Sequence, residues 1–514
     1  MTTTRCCAAI SLLLVALSTP RWAAAQNDAA AKAAAAVENA VSAGSELFHK
    51  QFAAGEPIGQ SGDGLGPVFN QVSCIACHRQ AGVGGAGSVD LNASMLSIEP
   101  IKFETLPDRD NFAKVLRRIH PGFVSDDGQV TNNVILHRFG AGDKYLAMRE
   151  KLVGSSIPFQ PTDDQRREIQ QTLARAPVQP ASGARPLRLV VTQRNTTALF
   201  GAGLIDTIPD AVLVGLAAIQ STHPEVSGRV APIKLTRAGR FGWRGQTERL
   251  HDFVLGACAN ELGLEVPGHP QPLDPLRPKY RSPGLDLSPQ QCLSLTAFVA
   301  SLPQPKFALP DDGEKRQVVE RGYKAFHGVG CGVCHVENIG PVQGVYSDLL
   351  LHDMGLGLAD PVLAQATMQQ VEQVPISADA RYKQPGRIIG DETIVKPNPV
   401  PYYSSRPPTI DRGTTYATEG GGLATVVDSP RDKRICILTR YEPVATNLAQ
   451  EWRTPPLWGL ADSAPYLHDG RAESVLEAIA QHGGEAEPCL ARFLALPTGE
   501  RLAVLEFLGC LRAP

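Results

Sequence analysis

Two short strings carry the strongest chemical signal, SCIACHRQ at residues 73–80 and CGVCH at residues 331–335. Each contains two cysteines three positions apart and a histidine directly after them, which is the attachment pattern of c-type haem. In that chemistry the thiols form thioethers to the porphyrin and the histidine becomes an axial ligand of the iron. One copy alone leaves half a zinc site, a redox dithiol or a chance match open, whereas two copies favour haem. The predicted attachment residues are Cys74, Cys77, His78, Cys331, Cys334 and His335.

The N-terminal segment has the character of an export signal. Arg5 precedes the apolar run AAISLLLVALS, and WAAAQN then offers a small-residue cleavage site after Ala25. The run is too short to cross a bilayer as a stable helix, although a retained membrane anchor is the alternative. We therefore expect cleavage of residues 1–25 and a periplasmic protein, which suits the place where c-type haem is attached.

Composition limits the remaining possibilities. The chain has 514 residues and a formal net charge of -3, long enough for two or three domains with sizeable cores. It has no basic block that would indicate nucleic-acid binding, and no second apolar run that would indicate a stable membrane span. The 48 glycines, 41 prolines and 6% aromatic residues suit a loop-rich protein built around cofactors. The oligomeric state stays open.

The chain repeats one plan twice. An Ala-rich helix predicted over 27–53 leads to the first C-x-x-C-H string, and a helix over 288–303 closes that half before a proline-rich boundary. The stretch 315–335 again predicts a helix that enters a C-x-x-C-H string, and GERLAVLEFLGCL closes the second half. The fold class is therefore mainly α, with two cytochrome c-like haem domains in tandem and long loop insertions. The predicted domains are 26–305 and 306–514.

The sequence pattern also predicts smaller elements. Hairpins are predicted near 187–193 and 394–410. Cys489 and Cys510 flank a predicted helical hairpin, where a disulfide could form, but the sequence does not fix the connectivity. The cysteines that remain in the mature chain are odd in number, so at least one is free or pairs outside the chain. They are Cys258, Cys292, Cys436, Cys489 and Cys510.

Longer stretches resemble the di-haem cytochrome c peroxidase superfamily, and within it the branch of di-haem oxidoreductases that is related to MauG-type enzymes. They cover most of the mature chain, and the last is very specific. The stretches are DGLGPVFNQVSCIACH (63–78), QRNTTALFGAGLIDTIPD (193–210), GRFGWRGQ (239–246), YSDLLLHDMGLGLAD (346–360) and RTPPLWGLADSAPYLHDGRAESVLEAIAQHGGEA (453–486).

The resemblance implies a sixth ligand for the second haem, opposite His335. In this superfamily the distal ligand follows the histidine of the HDG segment by fourteen positions, and here that position, counted from His468, holds His482. Better-known members carry Met or Tyr there. Met354 and His352 are competing ligands, and a hydrogen-bonded core histidine is the structural alternative for His482.

The residues around His482 agree with a buried position. ESVLEAIAQHGG predicts a helix that ends at the two glycines, and His482 shares an apolar stripe with Val475 and Ile479. Imidazole in place of a thioether lowers the potential of a haem. A conventional high-potential donor role for this haem is therefore in doubt.

We predict that the first haem is five-coordinate and reacts with peroxide. The reason is that the loop after His78 offers Met95 as its one candidate for a sixth ligand. The resemblance assigns acid–base catalysis to Glu261 of CANELG, with a solvated loop carboxylate as the alternative. Family members usually have a glutamine ten positions after the FGW tryptophan and the acid twenty after it. Here Phe253 holds the first position and the acid comes eighteen after Trp243. Lesser candidates are His251 and Gln246.

The resemblance also implies an electronic role for Trp243, whose indole lies between the haems in this superfamily; interdomain packing is the alternative. A calcium ion near that interface would be held by Asn195 and by the carbonyls of Ser463 and Pro465, oxygen ligands that suit a hard cation. Residues expected to shape the haem pocket are Tyr466, His468 and Asp469.

These expectations define an exported di-haem oxidoreductase with two covalent haem c groups. Its partners would be hydrogen peroxide and a small cytochrome c or cupredoxin electron donor. The alternatives are a MauG-like enzyme, which oxidises a partner protein or small molecule, and a plain electron-transfer cytochrome. The true substrate and the donor are not visible in the sequence.

Overall fold

The computed structural model describes the residues 30–56, 61–98, 106–125, 128, 130–131, 133–140, 142–154, 156, 189–234, 237–360, 365–377, 414–417, 423–428, 435–446 and 449–514. The predicted signal peptide, 1–25, and the hairpin predicted near 394–410 lie outside these residues. The side chain of Cys436 is likewise outside the described part of the chain.

Helices and small sheets make up the described structure, so the mainly α prediction is confirmed. The α-helices are 30–49, Cys74–Cys77, Leu106–Ile119, Asp143–Gly154, Ala202–Asp206, Asp210–Gln220, Leu250–Leu262, Pro289–Ser301, Gly313–Gly328, Val475–Ala480, Glu487–Ala495 and Thr498–Leu508. Short 3-10 helices are Val89–Leu91, Pro121–Phe123, Cys331–Val333, Leu356–Leu358, Leu460–Asp462 and Gly484–Ala486.

The sheets are small and antiparallel. A four-stranded sheet has the order Gln365–Ser377, Ile435–Thr446, Leu423–Asp428, Thr414–Ala417, so its first strand pairs with its last. A three-stranded sheet has the order Asn133–Ile135, Ala93–Ile98, Leu189–Arg194. The two-stranded pairs are Val68–Phe69 with Phe139–Gly140, Ala231–Lys234 with Arg237–Gly239, Leu351–Asp353 with Glu451–Arg453, and Lys306–Phe307 with Leu511–Arg512.

Three helices pack around the first C-x-x-C-H segment: 30–49, Leu250–Leu262 and Pro289–Ser301. The closing helix predicted over 288–303 is thus observed. Ser288 begins it with a capping box, since its side chain accepts from the Gln291 N–H and the Gln291 side chain accepts in return. Such an N-cap contributes about 1 kcal/mol.

The second C-x-x-C-H segment follows the helix Gly313–Gly328, as the repeated plan predicts. Gly330, at φ 102°, turns the chain from that helix into Cys331–Val333. The C-terminal helix Thr498–Leu508 packs closely on Gly313–Gly328, because Gly322 has no side chain: a Cβ there would lie 1.9 Å from the Ala503 carbonyl oxygen. Both predicted opening and closing helices are therefore present.

The largest hydrophobic core contains residues of both predicted units. Ile339, Val342 and Val345 belong to the same buried cluster as Leu250 and Leu295. A second cluster lies around the three-stranded sheet, and a third lies around the helices of the C-terminal half. The division at 305/306 stays a prediction.

Three finer predictions need correction. The segment near 187–193 is not a hairpin: Leu189–Arg194 pairs with the distant strand Ala93–Ile98, because both bury side chains in the second cluster. The first helix is described over 30–49 and ends before residue 53. Cys489 and Cys510 are free thiols, although the helical hairpin between them is present.

Within the described part of the chain, no helix is both long enough and apolar enough to cross a membrane.

Candidate functional site

The first C-x-x-C-H segment forms one helical turn, Cys74–Cys77, followed by His78. The Nδ1 of His78 donates a hydrogen bond to the carbonyl of Gly85 at 3.2 Å, which leaves Nε2 as the unprotonated nitrogen. Burial lowers the pKa of His78 to about 4, so the imidazole is neutral at pH 7. A neutral, oriented imidazole is what an axial iron ligand requires.

The four cysteine thiols of the two segments do not have the electrostatics of a reactive dithiol. Burial raises the pKa of both Cys74 and Cys77 to about 12. The pKa of Cys331 is raised by its contact with Cys489 and by burial, and that of Cys334 is raised by burial. Redox-active cysteines instead sit where the thiolate is stabilised. The haem interpretation is therefore favoured over the redox-dithiol alternative.

A cavity of about 360 Å³ adjoins the second segment. Cys331, Cys334 and His335 lie on its wall together with His482. The two imidazoles are near enough that His482 contributes to lowering the pKa of His335 to about 4, after burial, which is the larger cause. Two thiols and two imidazoles therefore surround one cavity.

Both imidazoles are oriented in the same way. His335 Nδ1 donates to the Tyr346 carbonyl at 3.1 Å, and His482 Nδ1 donates to the Ala478 carbonyl at 2.8 Å. Each Nε2 is thereby left unprotonated, and burial lowers the pKa of His482 as well. This is the donor set of a bis-histidine haem.

The remaining wall of the cavity suits a porphyrin. The helix Val475–Ala480 ends two residues before His482, so it is shorter than predicted. Val475, Ile479 and Phe493 nevertheless line the same cavity as His482. Apolar side chains beside two thiols and two neutral imidazoles fit the residues of this site to a covalently attached haem.

His352, a competing ligand, has both ring nitrogens engaged. Nε2 bonds Asp348 at 2.9 Å and Nδ1 bonds Glu485 at 3.0 Å. Burial lowers the pKa of His352, but hydrogen bonds to Asp348, Cys334 and Glu485 raise it well above its usual value. His352 is therefore held as a cation between the two carboxylates.

Cys334, Asp348 and His352 also place their ligand atoms within 4.8 Å of one another, close enough to hold a metal. Met354 lines the cavity and stays a competing ligand for the haem iron.

Glu261 lies beside the first segment. It occupies the last turn of the helix Leu250–Leu262, which ends at Gly263 in the left-handed conformation, φ 67°. Gly66 approaches this end so closely that a Cβ there would lie 2.1 Å from the Gly263 carbonyl oxygen. Glu261 also raises the pKa of Cys77, after burial, which is the larger cause. Two glycines thus allow the carboxylate to approach the first segment.

Asn70 holds this carboxylate and was not predicted from the sequence. Its Nδ2 donates to Glu261 Oε2 at 2.6 Å, and its backbone N–H donates to the Glu261 carbonyl at 2.8 Å. Burial raises the pKa of Glu261, whereas the Asn70 bond lowers it. The partners are 191 positions apart, and no local pattern joins them.

The lesser candidates at this site have other contacts. His251 Nδ1 bonds Thr296 at 2.9 Å, and the side-chain Oε1 of Gln246 accepts from the Arg244 backbone N–H. Phe253, at the position where the family has glutamine, stacks on Phe241 at 5.6 Å between ring centroids. Met95 lies in the strand Ala93–Ile98.

Trp243, Asn195 and His468 are joined by hydrogen bonds. The indole Nε1 of Trp243 donates to the Asn195 carbonyl at 2.9 Å, and the Asn195 N–H donates to the His468 carbonyl at 2.8 Å. The His468 ring stacks on Trp452 at 3.6 Å between centroids. All of these residues line the cavity of the second segment.

The three predicted calcium ligands lie on that cavity as well: Asn195, Ser463 and Pro465. Asn195 Nδ2 donates to the Gly87 carbonyl and to Asn92 Oδ1, so its Oδ1 is the atom that could bind a cation. Tyr466 donates to the Leu460 carbonyl at 3.1 Å, and Asp469 is fully buried and paired with Arg471.

The family model described as "Di-haem oxidoreductase, putative peroxidase" matches residues 443–511. Over these residues the match supports the resemblance to di-haem peroxidases. This di-haem family implies haem as the cofactor. Kuenenia stuttgartiensis hydrazine synthase under xenon pressure is 17% identical over 62% of this chain and 72% of its own, with a TM-score of 0.28. A MauG-like protein associated with microbial copper homeostasis is 15% identical over 60% and 90%, with a TM-score of 0.23. No curated protein matches the chain.

Proposed function

We propose that the chain is an exported di-haem c-type oxidoreductase that reduces hydrogen peroxide at the first haem. The observation that carries this proposal is the contrast between the two segments: an imidazole pair at the second and a held carboxylate at the first. The proposed units are 26–305 and 306–514. The proposed haem residues are Cys74, Cys77 and His78 for the first group and Cys331, Cys334, His335 and His482 for the second.

Glu261 performs the acid–base step at the first site. As a carboxylate it takes the proton from one peroxide oxygen, and as an acid it returns that proton to the other oxygen as the O–O bond breaks. The balanced reaction is H2O2 with two protons and two electrons giving two waters; bound haem supplies the electrons. Asn70 orients the carboxylate through its 2.6 Å bond. A positioned group of this kind contributes roughly 10²–10⁴-fold.

The second site stores and relays electrons. His335 and His482 would hold the haem iron at this site, and two imidazole ligands would keep peroxide from it. Trp243 lies on the wall of the same cavity, fixed by Asn195, and serves as the aromatic link between the two sites. A small cytochrome c or cupredoxin is the proposed electron donor.

Two further elements belong to the proposal. Asn195, Ser463 and Pro465 bind a calcium ion through oxygen atoms. Residues 1–25 direct export to the periplasm.

A MauG-like activity is the second candidate, because bis-histidine ligation gives a low-potential haem that shares oxidising equivalents readily instead of drawing electrons from a high-potential donor. In that case the enzyme oxidises a partner protein or a small molecule. A plain electron carrier is a weaker candidate, since it has no use for Glu261.

Two measurements test the function. Pyridine haemochrome analysis is expected to give two covalent haem c groups per chain; one group, or bound zinc, would contradict the architecture. Peroxide is then added with a reduced cytochrome or cupredoxin donor. Steady peroxide consumption supports the peroxidase, and a long-lived oxidised state with slow donor turnover supports the MauG-like activity. No reaction in either the diferric or the half-reduced form leaves only the carrier.

A further inference from the structure

Arg453 is a buried cation on the wall of the cavity that adjoins the second C-x-x-C-H segment. Its side chain stands at the end of the strand Glu451–Arg453, which pairs with Leu351–Asp353, and the residue is only 7% exposed. Burial lowers its pKa to about 10, which still leaves it charged at neutral pH. A charge removed from water is costly unless an opposite charge compensates it.

The contacts of this guanidinium do not include a carboxylate. Nε donates to the Gly242 carbonyl at 2.8 Å and Nη1 donates to the Thr454 carbonyl at 3.3 Å. No other side-chain hydrogen bond of Arg453 is formed to the described residues. An arginine carries five N–H donors, so the outer end of the guanidinium remains available.

Among the described residues, neighbouring arginines have a carboxylate partner, which Arg453 does not have. Within the described part of the chain, each of three pairs with a carboxylate: the pairs are Arg194–Asp360, Arg229–Glu451 and Arg240–Asp210. Arg453 is at least as deeply buried as two of these three and has no such partner.

The carboxylate of Asp348 raises the pKa of Arg453 without bonding it. Both oxygens of the Asp348 carboxylate already accept hydrogen bonds from other groups. Its Oδ2 accepts from His352 at 2.9 Å and from Gln220 at 2.7 Å, and its Oδ1 accepts from the Leu350 N–H at 2.9 Å. Among the described residues, Asp348 therefore has its hydrogen-bond partners, whereas no carboxylate bonds Arg453.

We propose that Arg453 binds a carboxylate inside this cavity, and that the carboxylate is a propionate of the second haem, an inference that rests on the proposed function. Planar guanidinium groups bind carboxylates with two parallel hydrogen bonds. A free small carboxylate entering the cavity is the other source of the same chemistry, and the experiment distinguishes the two.

Arg453 also connects this anion site to the tryptophan loop. Its backbone N–H donates to the Trp243 carbonyl at 3.0 Å, in addition to the Nε bond to Gly242. The same residue that binds the carboxylate thus positions the turn that carries Trp243. A propionate bond would fix the haem and the indole relative to each other.

The test compares Arg453→Met, Arg453→Lys and the control Arg229→Met in the holoprotein. Arg229 already has Glu451 as its partner and does not line the cavity. Removing a cation beside a haem favours the ferric form, so Arg453→Met is expected to lower the midpoint potential of one haem while both haems stay covalently attached. The propionate bands of the resonance Raman spectrum are expected to shift in the same variant. Arg229→Met is expected to change neither.

Arg453→Lys covers the case in which Arg453→Met does not fold. Lysine keeps the positive charge but cannot donate the two parallel hydrogen bonds. The midpoint potential is therefore expected to stay near that of the wild type while the propionate bands shift. Unchanged potentials and unchanged bands in the Arg453 variants that fold would overturn the proposal.

Acetate titrated into the wild-type protein separates the two sources. A propionate already on Arg453 predicts no spectral response to acetate. A saturable response that is lost in the Arg453 variants would overturn the assignment to haem in favour of a free carboxylate. None of these readouts uses peroxide, so a failure of the peroxidase proposal is seen separately.

Discussion

The two C-x-x-C-H segments share one design and differ in a single partner. In both, a half-buried histidine has its Nδ1 bonded to a backbone carbonyl and presents Nε2. His482 lines the same cavity as His335, whereas the first segment has Glu261 beside it. An imidazole can occupy an iron, and a carboxylate can move a proton. On this difference rests the proposal that one site stores electrons and the other reacts with peroxide.

The largest effect is expected from Glu261→Gln, which removes the acid–base group and keeps its shape. The reaction of the diferric protein with peroxide is expected to slow by roughly 10²–10⁴, measured by stopped-flow absorbance, with both haems retained. Glu265→Gln is the matched control, because Glu265 lies four positions on and accepts a bond from the Gln271 N–H instead. Equal rates in the two variants would remove Glu261 from the mechanism.

A smaller effect is expected from Asn70→Ala. The Asn70 bond stabilises the carboxylate and lowers the pKa of Glu261. Without it that pKa rises, so the rising limb of the peroxide rate moves to higher pH. Loss of a charge-assisted bond costs about 1.5–3 kcal/mol, so the rate should fall about 10-fold to 100-fold on the acid side of the profile, where the carboxylate becomes protonated.

The pH–rate profile checks this prediction. Asn338→Ala serves as control, since Asn338 bonds only the exposed Gly344 turn. A profile of Asn70→Ala that overlies the wild type, or moves to lower pH, contradicts the role given to Asn70.

Trp243→Phe should have the smallest effect on the fold and leave the first peroxide encounter unchanged. Loss of the Nε1 bond to Asn195 costs about 1 kcal/mol of unfolding free energy, measured by denaturant titration. Electron transfer between the two sites is expected to slow, seen as delayed oxidation of the second haem after mixing. Trp458→Phe changes another indole of the same cavity and should not delay it. Equal delays would reduce Trp243 to a packing residue.

The sequence predicted what local patterns encode. The two C-x-x-C-H strings, the helix Pro289–Ser301 with its Ser288 cap and the helix before Cys331 follow from spacing and capping alone. The position of His482 on the cavity was reached through the family pattern, and the structure places it beside His335.

Contacts between residues that are far apart in the sequence could not be predicted from local patterns. Asn70 and Glu261 are 191 positions apart, and a lone asparagine before a cysteine motif has no distinguishing mark. The engagement of both His352 nitrogens depends on Asp348 and Glu485 meeting in space. Likewise, the strand Leu189–Arg194 pairs far back along the chain, so a local hairpin rule misplaced it.

The most direct test of the difference between the two segments is the EPR spectrum of the oxidised protein, recorded beside His482→Ala and His352→Ala. The wild type is expected to show one high-spin haem and one low-spin bis-histidine haem. His482→Ala is expected to convert the low-spin signal to high spin, and His352→Ala to leave it low-spin, because of these two residues His482 presents a free Nε2 and His352 has both nitrogens bonded. A low-spin signal that survives in His482→Ala, or two low-spin haems in the wild type, would contradict this assignment.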